Sequence, residues 1–187
     1  TTIVVAAGTL LVAAVWRLAA VVTAPTIVAS AVVYHNRVQG FITPSTNVQS
    51  ARATLRGATF AVDRQFETLL VKASYDYTDP RTEPDGKRIV RIARHVFNLN
   101  LSRETGPWQY YGELKLASDR EDRAIRFSDP NIELGGYGLL NAGVSRKVNQ
   151  ELSVSARLNN ITDKTYSLAN GFTTPGRNLF VSANWSF

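Results

Sequence analysis

The chain has 187 residues, contains no cysteine and carries a formal net charge of +6 at pH 7. The absence of cysteine excludes a disulfide framework, thiolate catalysis and any cysteine-based metal site. The positive charge does not indicate nucleic-acid binding, because the arginines are spread over predicted strands and loops and form no compact basic helix.

The stretch 1–31 is apolar and poorly patterned. It is built mainly from Ala, Val, Thr, Leu and Ile, with Arg17 as its only charge and Pro25 as its only proline. These two residues divide it into pieces shorter than the roughly 20 residues that a transmembrane helix needs. Because β-branched residues favour strands, we predict two further strands here, near 2–13 and 18–31.

The region 32–187 alternates between apolar and polar residues in segments of about ten residues. A period of two predicts strands with one apolar face and one polar face. The last segment is the clearest example, since Leu179, Val181, Ala183, Trp185 and Phe187 occupy every second position. The eight predicted strands lie near 32–42, 51–62, 66–77, 91–102, 108–116, 137–146, 152–158 and 179–187.

The connections between these strands alternate in length. After a polar loop at 43–50, short turns are predicted at 63–65, 104–107 and 147–150, and long loops at 78–90, 118–135 and 160–177. Outer-membrane barrels have this arrangement, with short periplasmic turns and long extracellular loops. A soluble sandwich with one buried face would also show the alternation, but it has no reason to sort its loops by length.

Aromatic residues on the apolar face fall at both ends of the predicted strands. Trp108, Tyr110, Trp185 and Phe187 lie at the short-turn end, and Tyr75 and Tyr77 lie at the long-loop end. Aromatic girdles at the two membrane interfaces are typical of transmembrane barrels.

The carboxy-terminal region carries the most specific motif in the chain. Residues 159–166 read Asn-Asn-Ile-Thr-Asp-Lys-Thr-Tyr, and Gly171-Phe172, the run 174–177 (Thr-Pro-Gly-Arg) and a closing strand ending in Phe187 follow. The order and spacing of these residues resemble the carboxy-terminal signature of TonB-dependent outer-membrane receptors. Together with 51–57, 74–79 and 87–91, the motif is most similar to the vitamin B12 receptor branch of that family.

The resemblance implies an all-β fold. The chain would be an antiparallel up-and-down transmembrane β-barrel, or the carboxy-terminal part of a larger barrel of twenty-two strands whose lumen is plugged. The sequence predicts eight strands, or ten with 1–31, and an eight-stranded barrel is just wide enough to be filled by its own side chains. We therefore interpret the chain as a carboxy-terminal portion of a receptor, as one chain of a split barrel, or as a small barrel that does not transport.

The resemblance also implies a function and a set of partners. The chain would belong to an active-transport receptor for a cobalamin-like or other metal-chelate ligand, in the outer membrane of a Gram-negative bacterium. The alternative is a small structural or anchoring barrel. Expected partners are a small-molecule ligand, outer-membrane lipid and lipopolysaccharide, the TonB complex through a plug domain that this sequence does not show, and a barrel-assembly machinery that reads Trp185 and Phe187.

No enzymatic activity is expected. The common hydrolase and nucleotide-binding motifs are missing, and His35 and His95 are the only histidines. These histidines with nearby serines leave open the Ser–His pair of an outer-membrane phospholipase. No cofactor is expected, although oxygen clusters in two loops, Asp119, Glu121 and Asp122 and also Asp79, Glu83 and Asp85, leave open a loop-bound calcium ion.

Ligand contacts are predicted in the long loops, because binding residues concentrate on loops that a rigid scaffold holds. The candidates are Arg120, Arg123 and Arg126 in the loop 118–135, and Asn170, Phe172 and Arg177 in the loop 160–177. For each of them the alternative is an ordinary solvated loop residue, and Arg177 has the further alternative of a place in the barrel wall.

Overall fold

The computed structural model describes residues 2–7, 15–24, 27–40, 52–126 and 129–187, with side chains from residue 27 onwards. These ranges contain no helix that is long and apolar enough to cross a membrane. Their strands are β1 (Thr2–Ala7), β2 (Val15–Ala24), β3 (Ile27–Gln39), β4 (Arg52–Phe66), β5 (Leu69–Glu83), β6 (His95–Thr105), β7 (Trp108–Ala117), β8 (Arg120–Asp122), β9 (Ile132–Leu134), β10 (Tyr137–Lys147), β11 (Leu152–Asn159) and β12 (Asn178–Trp185).

Ten of these strands form one antiparallel sheet in which neighbours along the chain are neighbours in space. The order is β1-β2-β3-β4-β5-β6-β7-β10-β11-β12, and β8 and β9 form a separate hairpin between β7 and β10. In the described residues β1 and β12 each pair with one strand only, so the sheet is open. The predicted all-β, antiparallel, up-and-down fold is confirmed, as part of a barrel wall.

Several predicted boundaries differ from the observed ones near the amino terminus. The strand predicted at 18–31 overlaps both β2, which ends at Ala24, and β3, which begins at Ile27 and continues through 32–39. The composition is too uniform there to mark where one strand ends. Parts of the predictions for 2–13, 18–31 and 32–42, and the whole predicted loop at 43–50, lie outside the described residues.

The prediction of a turn at 63–65 is wrong. Strand β4 continues to Phe66, and the connection to β5 is Glu67-Thr68, with Glu67 in the left-handed region at a φ of 41°. The charges that suggested a turn are accommodated within the strand. The Asp63 carboxylate lies 3.4 Å from the Lys72 ammonium across the sheet, and the Arg64 guanidinium lies 4.1 Å from the centre of the Phe66 ring.

The loop predicted at 78–90 is too long at its start, because β5 continues to Glu83. Beyond Tyr77, β4 is the only described strand that pairs with β5, since β6 begins at His95 opposite Tyr77. The other edge of this part of β5 is bonded to the following connection, through a single bridge between Arg81 and Arg88 and a hydrogen bond from the Ile89 amide to the Pro80 carbonyl at 3.2 Å. A proline is tolerated at such an edge position, and Pro80 lies there opposite Leu55. The remaining connection is 84–94.

The strand register gives the sheet one apolar and one polar face, as the period of two predicts. Cross-strand neighbours on the apolar face include Phe60, Tyr75, Phe97 and Leu116, in adjacent strands. Phe60 is 50% exposed and Val181 on β12 is 73% exposed, so this face has no protein packed against it in the described chain. An apolar sheet face of this extent requires an apolar environment outside the chain.

The polar face is linked by hydrogen bonds between side chains of adjacent strands. The Thr59 hydroxyl donates to the Asp76 carboxylate at 2.7 Å, and the Asn98 amide donates to the Ser74 hydroxyl at 3.3 Å. These contacts link adjacent strands on the polar face, and a polar face of this kind lines the interior of outer-membrane barrels.

The structure confirms the predicted positions on the apolar face for every one of these aromatic residues except Phe187, which lies beyond the last strand. The Trp108 and Tyr110 rings, 6.2 Å apart, lie at the short-turn end of β7, and the Tyr75 hydroxyl contacts Nδ1 of His95 at 2.7 Å near the long-loop end. The closing strand is shorter than predicted, because β12 ends at Trp185 and Phe187 follows it fully exposed.

Candidate functional site

Three long connections, residues 84–94, 118–136 and 160–177, emerge from the same end of the sheet. They do so because every strand of an up-and-down sheet reverses direction, which places alternate connections at one end. Within the described residues the second connection contains the β8–β9 hairpin. Contacts between these connections therefore decide what the loop end of the sheet can bind.

The buried carboxylate of Asp122 joins the three connections at one point. Asp122 has no solvent exposure. Its Oδ1 accepts hydrogen bonds from Arg91 Nε at 2.9 Å and from the Arg123 amide at 2.8 Å, and its Oδ2 accepts one from the Asn170 amide at 2.6 Å. The Asn170 side-chain amide also donates to the Arg123 carbonyl at 2.9 Å. We call Arg91, Asp122, Arg123 and Asn170 the loop junction.

Asp122 is ionised at neutral pH in this environment. Burial raises the pKa of its carboxyl group, but hydrogen bonds from the amides of Asn170 and Arg123 and from Arg91 outweigh burial, so the pKa lies below its ordinary value of 3.8. A buried carboxylate with three donors is a structural anchor, and breaking it leaves a charge without its partners.

A second set of contacts holds the first two connections together. The Arg88 guanidinium lies 3.5 Å from Asp119 and 3.8 Å from Glu121, and the Arg91 amide donates to the Glu121 carbonyl at 2.7 Å. The carboxylates of the acidic group 119–122 are thus engaged with arginine side chains. The described residues hold no group of three or more His, Asp or Glu side chains placed for a metal ion. Loop-bound calcium stays a prediction.

Arg120 is almost completely buried beside the junction. Its guanidinium carbon lies 4.8 Å from the centre of the Tyr137 ring, and the Tyr137 ring in turn lies 4.6 Å from the Tyr166 ring. Its Nε and Nη2 atoms are buried and have no hydrogen-bond partner in the described part of the chain. Arg120 is therefore placed by aromatic stacking between the second and third connections.

The structure separates the six predicted ligand residues into two groups. Arg120, Arg123 and Asn170 come together in or beside the loop junction, where they hold loops to one another. Arg126 and Phe172 are exposed. Arg177 is also exposed, and its amide donates to Asp163 Oδ1 at 2.7 Å, which fixes the turn of the third connection. Ligand contact by these six residues stays a prediction.

A cleft of about 460 Å³ lies on the polar face, beneath the third connection. This volume is within the range of small-molecule sites. We call it the polar-face cleft, and its lining combines apolar residues with amides and one cation: Leu139, Pro175, Phe180, Tyr166, Asn141, Asn159, Asn160, Asn178 and Arg157.

The polar groups of the cleft are held in place by strand-to-strand hydrogen bonds. Arg157 Nη2 and the Asn141 side-chain amide both donate to Glu113 Oε2, at 3.1 and 3.0 Å. The Asn159 amide donates to Asn178 Oδ1 at 2.9 Å. Because these side chains stand on paired strands, the cleft presents a preformed row of amides beside one guanidinium.

Asn160 forms the roof of the cleft. Its backbone is left-handed, with a φ of 48°, and its amide donates to Asn141 Oδ1 at 2.8 Å. Its side chain accepts from the Lys164 amide and donates to the Lys164 carbonyl, both at 2.9 Å. The motif's asparagine thus closes the turn that covers the cleft.

The sequence prediction missed the cleft residues. Phe180 carried a signal, because it is an apolar residue on the polar side of the closing strand. Arg157 and Asn141 carried none beyond their places on the polar face. Their common position follows only from the register, which sets Gly143 opposite both Arg157 and Tyr111 and Asn141 opposite Glu113.

The chain matches the family model described as "TonB dependent receptor-like, beta-barrel" over residues 18–161. Among curated proteins it is 26% identical over 155 residues to the vitamin B12 transporter BtuB of Vibrio vulnificus, covering 79% of this chain and 24% of that protein. It is 28% identical over 148 residues to the BtuB of Vibrio cholerae, covering 75% and 22%.

Solved structures with the same fold include the siderophore receptor PirA from Acinetobacter baumannii and the copper transporter OprC. The TM-scores are 0.80 and 0.76 and the sequence identities 12% and 19%, and each match covers 94% of this chain and 32% of the other. The chain therefore spans about a quarter of the length of the curated relatives and about a third of these solved chains.

Proposed function

Because the chain belongs to the TonB-dependent receptor β-barrel family, we propose that it forms part of the wall of an outer-membrane receptor for a small-molecule ligand. Family members bind small molecules and interact with TonB, and this chain is not expected to be an enzyme. The observation that carries the proposal is the polar-face cleft beneath the motif loop. In a barrel wall the polar face lines the interior, so the cleft opens toward the path of a ligand.

The proposed ligand class is a cobalamin-like or other metal chelate. The BtuB proteins, named as vitamin B12 transporters, match three quarters or more of this chain. The cleft chemistry supports a ligand rich in amide and carboxylate groups, since asparagine amides both donate and accept and Arg157 offers a guanidinium beside the Phe180 ring. A large apolar ligand would leave these polar groups unpaired.

The proposed location is the outer membrane of a Gram-negative bacterium, with the apolar face toward lipid. The proposed partners are the TonB complex, reached through a plug domain outside this chain, and the barrel-assembly machinery. The alternative, a small closed structural barrel, is not favoured, because the two edge strands do not pair with one another in the described residues.

Replacement of Arg157 by Gln tests the cleft. Among the described residues Arg157 is the only cation of the cleft lining, so its loss is expected to lower the affinity for an anionic or amide-rich chelate on the order of tenfold. Equilibrium binding of cyanocobalamin, and in parallel of a ferric siderophore, is measured on the intact protein that contains this chain. Arg146→Gln is the control, since it removes the same charge from the apolar face.

Equal loss of binding in the two variants would contradict a role for the cleft. Failure of the unmodified protein to bind either chelate would contradict the proposed ligand class.

Replacement of Phe187 by Ala tests the proposed assembly signal. Phe187 is fully exposed and packs against nothing in the described chain, so its loss is not expected to destabilise the folded sheet. We expect a several-fold decrease in folded protein in the outer membrane, measured by heat-modifiable electrophoretic mobility, and unchanged refolding in detergent micelles. Ser186→Ala is the control. Normal assembly of the Phe187 variant would remove the proposed role.

A further inference from the structure

A second cleft lies on the opposite, apolar face of the sheet, at its long-loop end. It has a volume of about 460 Å³, and its lining includes His35, Arg37, Arg56, Arg81 and Glu83. Register places it on the apolar face, because His35 is opposite Arg56, Arg56 is opposite Asp79, and the next pair toward the turns is Ala58 and Tyr77. We call this cleft, together with Asp79 and Arg94, the arginine groove.

The groove holds more positive charge than its own carboxylates balance. Asp79, which is buried, is shared by three guanidinium groups: Arg81 Nε at 2.9 Å, Arg56 Nη2 at 3.2 Å and Arg94 Nη2 at 3.5 Å. The other carboxylate, Glu83, accepts a hydrogen bond from the Thr54 hydroxyl. Four arginines against two carboxylates leave a net charge of +2 among the described groove residues.

Three of the arginines have guanidinium donors without a partner among the described residues. Arg37 is exposed and has no ion-pair partner among the described side chains. Arg94 has a buried Nε without a hydrogen-bond partner in the same part of the chain. Arg56 is only singly paired and its side chain is 60% exposed. A guanidinium fork with free N–H groups is suited to bind phosphate oxygens in a bidentate manner.

The groove lies at the level of lipid headgroups. Tyr77 and His95, whose rings are 5.2 Å apart, and Tyr75, bonded to His95, occupy the neighbouring positions toward the turns on the same face. Aromatic rings of this kind lie at the membrane–water interface. Residues two positions further along a strand are about 7 Å higher, so Arg56 and Arg81 lie just above the interface ring, facing outward and not toward the barrel interior.

We propose that the arginine groove binds the phosphate group of an anionic lipid in the leaflet on the long-loop side. Charge complementarity carries the proposal, since a net positive groove on a lipid-facing surface meets phosphorylated headgroups at this depth. The site is independent of the transported ligand, because it lies on the opposite face of the sheet from the polar-face cleft.

The double variant Arg37→Gln/Arg56→Gln tests the groove. It removes the two most exposed guanidinium groups and leaves Asp79 paired with Arg81 and Arg94, so the fold is expected to persist. The intact protein containing this chain is titrated in detergent with fluorescent diphosphorylated lipid A. We expect the affinity of the double variant to be lower on the order of tenfold or more, with a weaker dependence on salt.

The matched control is Lys72→Gln, which removes a positive charge from the same strand as Arg81 but from the polar face. It is expected to bind lipid A as the unmodified protein does. Dephosphorylated lipid A is expected to bind the unmodified protein as weakly as the phosphorylated form binds the double variant.

Three results would overturn the proposal. The first is unchanged affinity in the double variant, and the second is equal loss in Lys72→Gln. The third is displacement of the lipid by an equal concentration of inorganic phosphate, which would show that the groove binds free phosphate and does not recognise a lipid. Circular dichroism and heat-modifiable mobility of each variant verify that the barrel is folded.

Discussion

Replacing Asp122 with Ala is expected to release the third long connection from the other two. The carboxylate is fully buried and accepts three hydrogen bonds, so its loss leaves the Arg91 guanidinium and two backbone amides without partners. The expected cost is about 3 kcal/mol of local stability, which corresponds to a loss of amide protection on the order of a hundredfold. Hydrogen exchange with mass spectrometry on peptides that contain Asn170 measures it.

The control for this prediction is Asp119→Ala. Asp119 lies in the same connection, but its side chain is 45% exposed and its contact with Arg88 is 3.5 Å long, so its removal is expected to cost little. If the two variants lost protection equally, the loop junction would not depend on the buried carboxylate.

The lowered pKa of Asp122 also predicts that the loop junction loses stability at low pH. Because the pKa of Asp122 is lower in the folded protein than its ordinary value, its contribution is fully present above that ordinary value of 3.8 and is lost as the pH falls through the lower, folded pKa. Cleavage of the third connection by pepsin, which is active in this range, is therefore expected to rise as the pH is lowered. In Asp122→Asn this rise is expected to be absent.

The two faces of the sheet could be predicted from the sequence, whereas the loop junction could not. A strand with one apolar face and one polar face must alternate along the sequence, and cross-strand pairs such as Tyr75 and Phe97 on the apolar face obey that requirement. The junction joins Arg91 to Asp122 across 31 residues and Asp122 to Asn170 across 48. No local pattern encodes such contacts, so Asp122 resembled a solvated loop acid or a calcium ligand.

The boundary errors have a related physical origin. Charged residues at the end of β4 looked like a turn, although Asp63 and Lys72 form a cross-strand pair on the polar face, where charge is tolerated. Pro80 looked like a loop residue, although the neighbouring strand ends before it. In both cases the partner strand decides the outcome, and the partner is not visible in the local sequence.

The residues of the polar-face cleft also differ in how far the sequence indicates them. Phe180 breaks the alternation of the closing strand, and this irregularity is the signal that the sequence gives for the cleft. Arg157, by contrast, fits the polar pattern and gives no sign of a site. It becomes recognisable only when the register brings it beside Asn159 and opposite Phe180.

Replacing Gly57 with Ala is expected to prevent normal pairing of β4 with β5. A Cβ atom at this position would collide with the backbone carbonyl of Tyr77 and with the Tyr34 ring, whose hydroxyl contacts the Thr78 hydroxyl at 2.7 Å. A backbone carbonyl within a sheet cannot move aside, so the expected loss is about 3 kcal/mol in the free energy of unfolding. Urea-induced unfolding of the refolded intact protein measures it, and Gly112→Ala, where no atom lies within 4 Å of the new Cβ, is the control.

A comparison with Gly143 distinguishes a collision with the backbone from a collision with a side chain. A Cβ at Gly143 would also collide, but with the ring end of Tyr111, which can rotate away at an expected cost of about 1 kcal/mol. Adding Tyr111→Ala is therefore expected to remove the steric penalty of Gly143→Ala, while adding Tyr34→Ala is not expected to rescue Gly57→Ala, because the Tyr77 carbonyl remains. Rescue of the Gly57 variant would show that the tyrosine ring, and not the strand backbone, requires glycine at that position.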